Sequence, residues 1–171
     1  MKNIRNLFAK DNKKDGFTLI ELILFMGLFS VLMVVLLRVF TTIIEQQAEV
    51  ESYSAVESDR LYLLSRLGYD IARATAITVP SAVGNQGQTL TLTIGGLNYT
   101  YTLTSGNLTL TTPSGTDILN QFGTTITTLN FRRLGNVNGK NTINFSMTIR
   151  SKISRPQGFE TKTINTTFGT R

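Results

Sequence analysis

Glu21 is the side chain whose type and position most strongly suggest a functional role, because it is an ionisable group in an apolar run. It stands between Ile20 and Leu22, and the run from Leu22 to Leu37 contains no charged residue. A carboxylate at the centre of a membrane costs roughly 2.5–3.5 kcal/mol on insertion scales, and less near the interface. Such residues are functional candidates, although a position at the headgroup level would leave the carboxylate hydrated. The residues alone leave both interpretations open.

The chain offers little else for catalysis or metal binding. It contains no histidine and no cysteine, which removes the commonest general base and metal ligands. After Asp70 only two carboxylates remain, Asp117 and Glu160, and both lie in turn-like or strand-edge sequence. A catalytic carboxylate pair is not expected. We therefore predict a protein that is not an enzyme and that holds no metal or cofactor.

A long apolar helix is the element that must position Glu21. Residues 17–40 form a stretch of 24 residues, about 36 Å as an α-helix, which exceeds a hydrocarbon core of about 30 Å. The stretch has no polar face at the helical period, which a helix buried in a protein core would show. We therefore predict that residues 17–40 are the transmembrane half of a long helix.

A basic segment precedes this helix and predicts its orientation. Residues 1–16 hold five basic and two acidic residues, so they contribute +3 to the chain's net charge of +6. Positive charge beside an apolar span is retained on the cytoplasmic side. The sequence thus predicts a single pass through the cytoplasmic (inner) membrane, with the N-terminus in the cytoplasm and the C-terminal domain outside it.

Residues 41–77 are predicted to continue as the amphipathic half of the same helix. Apolar residues recur there at helical spacing, and we expect this stripe to pack on the β domain rather than to form a binding site. The stripe consists of Tyr53, Val56, Leu63, Leu64, Leu67, Ile71 and Ala74, with Arg60 completing the spacing. The other sides of the helix carry Glu57, Asp59, Arg66, Asp70 and Arg73.

Residues 78–171 are predicted to form a Thr-rich antiparallel β domain. Apolar residues alternate there with threonine or asparagine, which is typical of strands with one wet face. Gly95-Gly96 and Ser105-Gly106-Asn107 indicate tight turns between strands. Six strands are predicted, at residues 88–94, 97–103, 108–112, 125–133, 141–151 and 160–168.

One stretch of the β domain departs from this alternation. Residues 116–122 are expected to form a short helical turn that directs Ile118, Leu119 and Phe122 inward. Together the elements predict an α+β fold. One long N-terminal helix, half transmembrane and half amphipathic, packs on a C-terminal antiparallel sheet of about six strands.

The segment Gly16-Phe-Thr-Leu-Ile-Glu21, with basic residues before it, resembles the class III signal of the type IV filament superfamily. This superfamily includes pilins, type II secretion pseudopilins and competence pilins. The resemblance implies a pilin-like fold and a leader peptide at residues 1–16. It implies that a separate prepilin peptidase cleaves between Gly16 and Phe17 and N-methylates Phe17. It also implies that Glu21 pairs with the terminal amine of a neighbouring subunit.

A second resemblance concerns the type of subunit. Residues 61–74 are similar to the helix end of J-type minor pseudopilins and W-type minor pilins, and strand 163–168 with Arg171 also fits. Major pilins differ, since many have proline where Arg38 stands and some have a cysteine-bounded loop. The resemblance implies a minor subunit of a tip or initiation complex. Such a subunit works with other pilin or pseudopilin subunits, an assembly platform and an ATPase in pilus assembly, protein secretion or DNA uptake.

Other interpretations stay open. In one, the chain is a monomeric bitopic membrane protein whose extracytoplasmic β domain binds a ligand or a surface. In another it is a membrane-tethered hydrolase, which the shortage of catalytic residue types disfavours. Nucleic-acid binding is a further role for a basic chain, although the basic residues of the β domain are scattered. The residues that would test it are Arg132, Arg133, Lys140, Arg150, Lys152 and Arg155.

Overall fold

The computed structural model describes residues 16–135 and 139–171. Apart from Gly16, the predicted leader peptide lies outside the described residues. The chain divides into two compact units, Met1–Ile43 and Ile44–Arg171. Within the described residues one α-helix, α1 (Leu19–Arg73), contributes to both units.

The first unit is the apolar part of α1. Its large apolar side chains, from Phe17 to Ile43, are 47–80% exposed. The helix includes a window with a mean hydropathy of 2.7, and among the described residues it is the one helix that is long and apolar enough to cross a membrane. This agrees with the predicted transmembrane half, because lipid would take the place of a protein core around these side chains.

The second unit consists of the rest of α1 and two antiparallel sheets. In the described part of the chain, the first sheet has five strands in the order β1-β3-β4-β5-β6, and the second has four in the order β2-β7-β8-β9. The strands are β1 (Ala76–Val79), β2 (Gln86–Gly87), β3 (Thr89–Ile94), β4 (Leu97–Thr104), β5 (Asn107–Thr112), β6 (Gly115–Ile118), β7 (Thr124–Leu134), β8 (Thr142–Ser151) and β9 (Thr161–Gly169). The α+β fold is therefore confirmed, with the strands divided between two sheets instead of one.

One hydrophobic core lies between α1 and the inner faces of the two sheets. The helix contributes Val56, Leu63, Leu67 and Ile71, which are at most 2% exposed. The strands contribute every second residue, because successive side chains point to opposite faces of a sheet. Burying one such side chain stabilises the fold by about 1.5–3 kcal/mol. The largest strand residues that are fully buried are Tyr101, Phe131, Phe145, Leu90, Leu92, Leu108, Ile143, Met147 and Ile149.

The boundaries of the elements follow the predictions closely, except at the two ends of α1. The helix begins at Leu19 and not at residue 17, because Thr18 is the N-cap residue. All six predicted strands are present, with each end within one residue of its predicted position. The helix, however, ends at Arg73 and not at residue 77. Ala76 and Ile77 lie opposite Thr93 and Leu92 of β3, so strand pairing draws these residues away from the helix.

The predicted helical turn at residues 116–122 is wrong. Gly115–Ile118 forms β6, which pairs with β5 at the edge of the first sheet, and an irregular loop follows. Leu119 packs against the core, but Ile118 is 61% exposed and Phe122 is 94% exposed. The reason is that β5 would otherwise be an edge strand with unpaired backbone groups, which β6 satisfies.

Two tight turns join β3, β4 and β5. Gly95 and Gly96 have φ angles of 59° and 81°, and Ser105 and Gly106 have φ angles of 51° and 78°. Positive φ at both central residues is the pattern of the type I′ turn, whose twist matches that of paired strands. Both predicted turns are thereby confirmed.

Gly68 is a point of close approach between α1 and the second sheet. A Cβ atom added there would lie 2.9 Å from Cε1 of Phe168, on β9. We expect Gly68→Val to lower the free energy of unfolding by about 1–3 kcal/mol, because the Phe168 ring, which stacks on Phe145, must shift. Gly123→Val is the control, since no atom of the described residues lies within 4 Å of a Cβ added at Gly123. Thermal unfolding of the full chain in detergent measures both, and equal losses would contradict the prediction.

Candidate processing and assembly site

The residues of the predicted cleavage site lie in non-helical backbone immediately before α1. Gly16, Phe17 and Thr18 precede the first helical residue, Leu19. The Phe17 side chain is 80% exposed. Among the described residues, no atom lies within 4 Å of a Cβ added to Gly16, so that part of the fold does not require glycine there. The peptide bond between Gly16 and Phe17 is therefore outside the hydrogen bonding of the helix.

Thr18 caps the first turn of α1. The backbone N–H of Glu21 donates to the Thr18 hydroxyl at 3.3 Å, and the N–H of Leu22 donates to the Thr18 carbonyl at 3.1 Å. Thr18 is thus the N-cap residue, which satisfies an N–H that the first turn of a helix leaves unpaired. This cap places Glu21 in the first turn of the helix, four residues after Phe17.

The Glu21 side chain is exposed at the start of the apolar helix. The sequence Thr-Leu-Ile-Glu fits a capping box, in which the glutamate would accept the N–H of the N-cap residue. Among the described residues, however, the Glu21 carboxylate accepts no hydrogen bond and forms no ion pair. The positive end of the helix dipole stabilises a carboxylate in the first turn. The carboxylate is therefore exposed and has no partner among the described residues.

In the second unit, a buried carboxylate joins α1 to the first sheet. Asp70 is fully buried and accepts hydrogen bonds from Arg66 at 3.0 Å and Arg73 at 2.8 Å. The hydroxyl of Tyr101, on β4, also donates to it. Burial raises the pKa of Tyr101 far above its ordinary value, and the hydrogen bond to Asp70 raises the pKa further. Tyr101 therefore stays a neutral donor, and this cluster serves to hold the helix on the sheet.

A second buried carboxylate, Asp59, joins α1 to the loop before β7. Its two oxygens accept the backbone N–H of Gln121 at 3.2 and 3.1 Å, and the Thr124 hydroxyl donates to it as well. Asp59 and Asp70 stand 11 residues apart, about 16 Å along the helix, so they do not form a catalytic pair. Each carboxylate instead makes structural contacts.

The N-terminal segment matches the family model of the prokaryotic N-terminal methylation motif, over residues 11–37. The chain carries this methylation motif. This motif supports an assignment to the type IV pilin and pseudopilin family, as a subunit that prepilin peptidase processes. It also implies association with other pilins. Together with the apolar part of α1, the methylation motif fits a single-pass inner-membrane protein. No curated protein and no solved structure matches the chain.

The motif predicted from Gly16 to Glu21 is thereby confirmed, because the methylation motif covers this segment, and it supports the predicted family. The structure brings Gly16, Phe17 and Glu21 together within one short stretch at the start of α1. The individual roles of these residues stay predictions. The J-type or W-type subtype also stays a prediction.

The basic residues considered for nucleic-acid binding serve various local contacts. Arg133 donates to three backbone carbonyls and to the Asn141 side chain at 2.6–3.1 Å. Arg155 pairs with Glu160 at 2.7 Å. These two residues therefore have structural roles, and their contacts give nucleic-acid binding no support. The other four, Arg132, Lys140, Arg150 and Lys152, are exposed or partly exposed.

The burial of Asp59 and Asp70 was not predicted from the sequence. Both were assigned to the polar sides of α1, whereas the structure buries them beside Val56, Leu63 and Leu67. A signal was present, since Asp59 stands three residues after Val56 and Asp70 three residues after Leu67, in the spacing of the apolar stripe. The charge of the two residues argued against burial, because carboxylates are rarely buried without partners.

Proposed function

We propose that the chain is a type IV pilin-like filament subunit, a minor pilin or pseudopilin that is cut between Gly16 and Phe17 and assembles through its N-terminal helix. The observation that carries the proposal is the methylation motif at residues 11–37 followed by a helix able to cross a membrane. The role is structural and not enzymatic, and it uses no cofactor or metal. The assembly serves pilus formation, protein secretion or DNA uptake.

The backbone around Gly16 supports the proposed cleavage. A peptide bond that precedes a helix can enter a protease site without the loss of helical hydrogen bonds. Because the fold leaves room for a side chain at Gly16, the glycine is better explained by a narrow site in the prepilin peptidase. The same enzyme then methylates the new amine of Phe17.

The position of Glu21 supports its proposed role in assembly. We assign the methylated Phe17 amine of a neighbouring subunit as the partner of the Glu21 carboxylate. Methylation keeps the positive charge of the amine, so each group neutralises a charge that would otherwise stand alone in lipid. Because the two groups lie at one end of each helix, their pairing sets the axial offset between neighbouring helices.

The end of α1 supports the minor-subunit assignment. The resemblance to J-type and W-type subunits includes Arg66, Asp70 and Arg73, and these residues form one ion-pair cluster. The backbone N–H of Arg171 donates to the carbonyl of Ala72 at 3.4 Å, which ties the end of the chain to the end of the helix. Such a subunit acts in a tip or initiation complex with other minor subunits, an assembly platform and an ATPase.

The charge distribution supports the proposed topology. The basic residues of segment 1–16 keep the N-terminus in the cytoplasm. The second unit is then extracytoplasmic before assembly and part of a pilus or pseudopilus afterwards.

Replacing Gly16 with a bulky residue is expected to leave the precursor uncut. Gly16→Leu adds a side chain that the narrow peptidase site excludes, whereas Gly16→Ala is expected to be processed. Immunoblots separate precursor from mature chain. Mass spectrometry of the wild-type chain should show the loss of residues 1–16 and the gain of one methyl group. An intact chain that keeps Met1 would instead favour a monomeric bitopic membrane protein with a ligand-binding β domain.

A further inference from the structure

Arg38 interrupts the apolar part of α1. It is the single charged residue between Leu22 and Ile44. Its side chain is exposed, and its guanidinium has no ion-pair partner among the described residues. Val34 and Val35, one turn earlier, are exposed as well. Arg38 therefore places a permanent charge on a surface that lipid would cover, and the described part of the fold does not account for it.

The polar residues that follow Arg38 have partners inside the helix. The hydroxyls of Thr41 and Thr42 each donate to the Arg38 carbonyl at 2.9 Å. Hydroxyl groups that bond in this way to the preceding turn can lie in a membrane without water. The guanidinium cannot, because it is always charged and carries several N–H donors. It is thus the group at this point of α1 that needs a partner from outside the chain.

The position of Arg38 matches the thickness of a membrane. Residues 22–37 form a charge-free run of 16 residues, about 24 Å as a helix, whereas a hydrocarbon core is about 30 Å thick. Such a shortfall is accommodated when a long basic side chain extends to the headgroups. Arg38 stands directly after the run, so its guanidinium reaches the nearer headgroup layer. Lipid phosphates there can accept two parallel hydrogen bonds from a guanidinium.

We propose that Arg38 binds the phosphate of a lipid headgroup on the extracytoplasmic side and thereby fixes the depth of α1 in the membrane. Arg38 is then a positioning residue for processing, because the depth of the helix determines where the adjacent Gly16–Phe17 bond meets the peptidase. The inference rests on the proposed function, which supplies both the peptidase and the orientation of the chain.

The charge pattern indicates how α1 would move without Arg38. The next charged residue is Glu45, so the charge-free run would become residues 22–44, which is 23 residues or about 35 Å. The midpoint of the run would change from position 29.5 to position 33, about 5 Å along the helix. Centring the longer run in the membrane would move α1 about 5 Å toward the cytoplasm, and the Gly16–Phe17 bond would move with it.

Thiol labelling measures this depth, because the native chain has no cysteine. The full chain with Ile43→Cys is placed in dioleoylphosphatidylcholine vesicles and treated with a water-soluble maleimide, which reacts with the thiolate. We expect Arg38→Leu to lower the labelled fraction about tenfold, since position 43 moves toward the hydrocarbon. Arg38→Lys keeps the charge and should keep the labelling. Gln47→Cys, beyond Glu45, is the control and should be labelled equally in every chain.

A second lipid tests whether phosphate is the partner. Dioleoyl digalactosyl glycerol has the same acyl chains and a polar headgroup without phosphate. In its vesicles the labelling of Ile43→Cys should fall toward the level of the Arg38→Leu chain, because the guanidinium loses its anionic acceptor. Equal labelling in the two lipids would assign the guanidinium to water and overturn phosphate as its partner.

Cleavage by a purified prepilin peptidase in the phosphatidylcholine vesicles tests the positioning role. Arg38→Leu should be cut about tenfold more slowly or worse, because a displacement of a few ångströms takes the Gly16–Phe17 bond out of productive geometry. Arg38→Lys should be cut at nearly the wild-type rate, which a requirement for arginine itself would not allow. Val39→Leu changes an adjacent exposed apolar residue and is the matched control, with both depth and cleavage unchanged.

The outcomes separate this inference from the proposed function. Unchanged labelling of Ile43→Cys in the Arg38→Leu chain would overturn the inference, while cleavage of the wild-type chain would still support the proposed function. A change in depth with cleavage at the wild-type rate would overturn the positioning role. A change in depth in a chain that the peptidase never cuts, with or without Arg38, would support the lipid contact and overturn the proposed function.

Discussion

Asp70→Ala is expected to lower the free energy of unfolding of the second unit by about 2–4 kcal/mol. The variant leaves the buried hydroxyl of Tyr101 without its acceptor and opens a small cavity between α1 and β4. Arg66 and Arg73 are 36% and 42% exposed, so they regain water and limit the loss. Thermal unfolding of the full chain in detergent, followed by near-ultraviolet circular dichroism of the tyrosines, measures the effect.

Two further variants identify the contact responsible. Tyr101→Phe removes only the hydroxyl and should lower the free energy of unfolding by about 1 kcal/mol. In the double variant Asp70→Ala/Tyr101→Phe, the loss of unfolding free energy should be smaller than the sum of the two single losses, because both substitutions remove the same hydrogen bond. Asp117→Ala is the matched control, since this carboxylate is exposed on β6. An Asp70→Ala chain as stable as the Asp117→Ala chain would contradict the proposed anchor.

The apolar half of α1 and the methylation motif could be predicted because both depend on adjacent residues. The run from Leu22 to Leu37 contains no charged residue, and its length and composition alone indicate a helix that can cross a membrane. No other part of the chain is needed for this prediction. The same holds for the longer strands, because alternation over six or more residues indicates which face is buried. These local patterns gave the α+β fold and the position of Glu21.

The buried carboxylates could not be predicted, because burial on a helix depends on what packs against it. Asp59 binds the N–H of a residue 62 positions away, and Asp70 binds a hydroxyl 31 positions away. Without those partners, burial of either charge would be strongly unfavourable, so the polar side of α1 was the better expectation. Only the folded arrangement reveals Gln121 and Tyr101 as their partners.

The division into two sheets was missed for a similar reason. The additional strands β1, β2 and β6 are two to four residues long, too short for a periodic pattern. β2, for example, consists of Gln86 and Gly87, which lie opposite Arg132 and Phe131 of β7. Each short strand forms because a longer neighbour offers it backbone hydrogen bonds, and the sequence does not show where that neighbour lies.

Glu21→Ala is expected to yield a subunit that is cleaved and methylated but excluded from filaments. The proposed cleavage site precedes α1, and the substitution leaves Gly16 and Phe17 unchanged. In the assembled helices the Phe17 amine would then lack a counter-ion, and an unpaired charge in apolar surroundings costs several kcal/mol. We expect incorporation to fall roughly a hundredfold or more. Immunoblots of sheared filaments and of membranes measure it.

The matched control for this variant is Glu45→Ala. Glu45 is an exposed carboxylate on the same helix, beyond the predicted membrane-spanning half, so its loss should leave incorporation unchanged. Mass spectrometry of the membrane-bound Glu21→Ala chain should show a methylated N-terminus at Phe17. Incorporation of Glu21→Ala at the wild-type level would rule out the pairing role.

Glu21→Gln separates charge pairing from helix capping. Glutamine takes the same position in a capping box as glutamate and has nearly the same volume, so the start of α1 should be kept. It cannot neutralise an amine. If charge pairing is required for incorporation into filaments, Glu21→Gln should be excluded from filaments like Glu21→Ala. Glu21→Asp keeps the charge on a shorter side chain and should retain part of the incorporation. If capping were the role, Glu21→Gln would assemble normally and Thr18→Ala would be as damaging as Glu21→Ala.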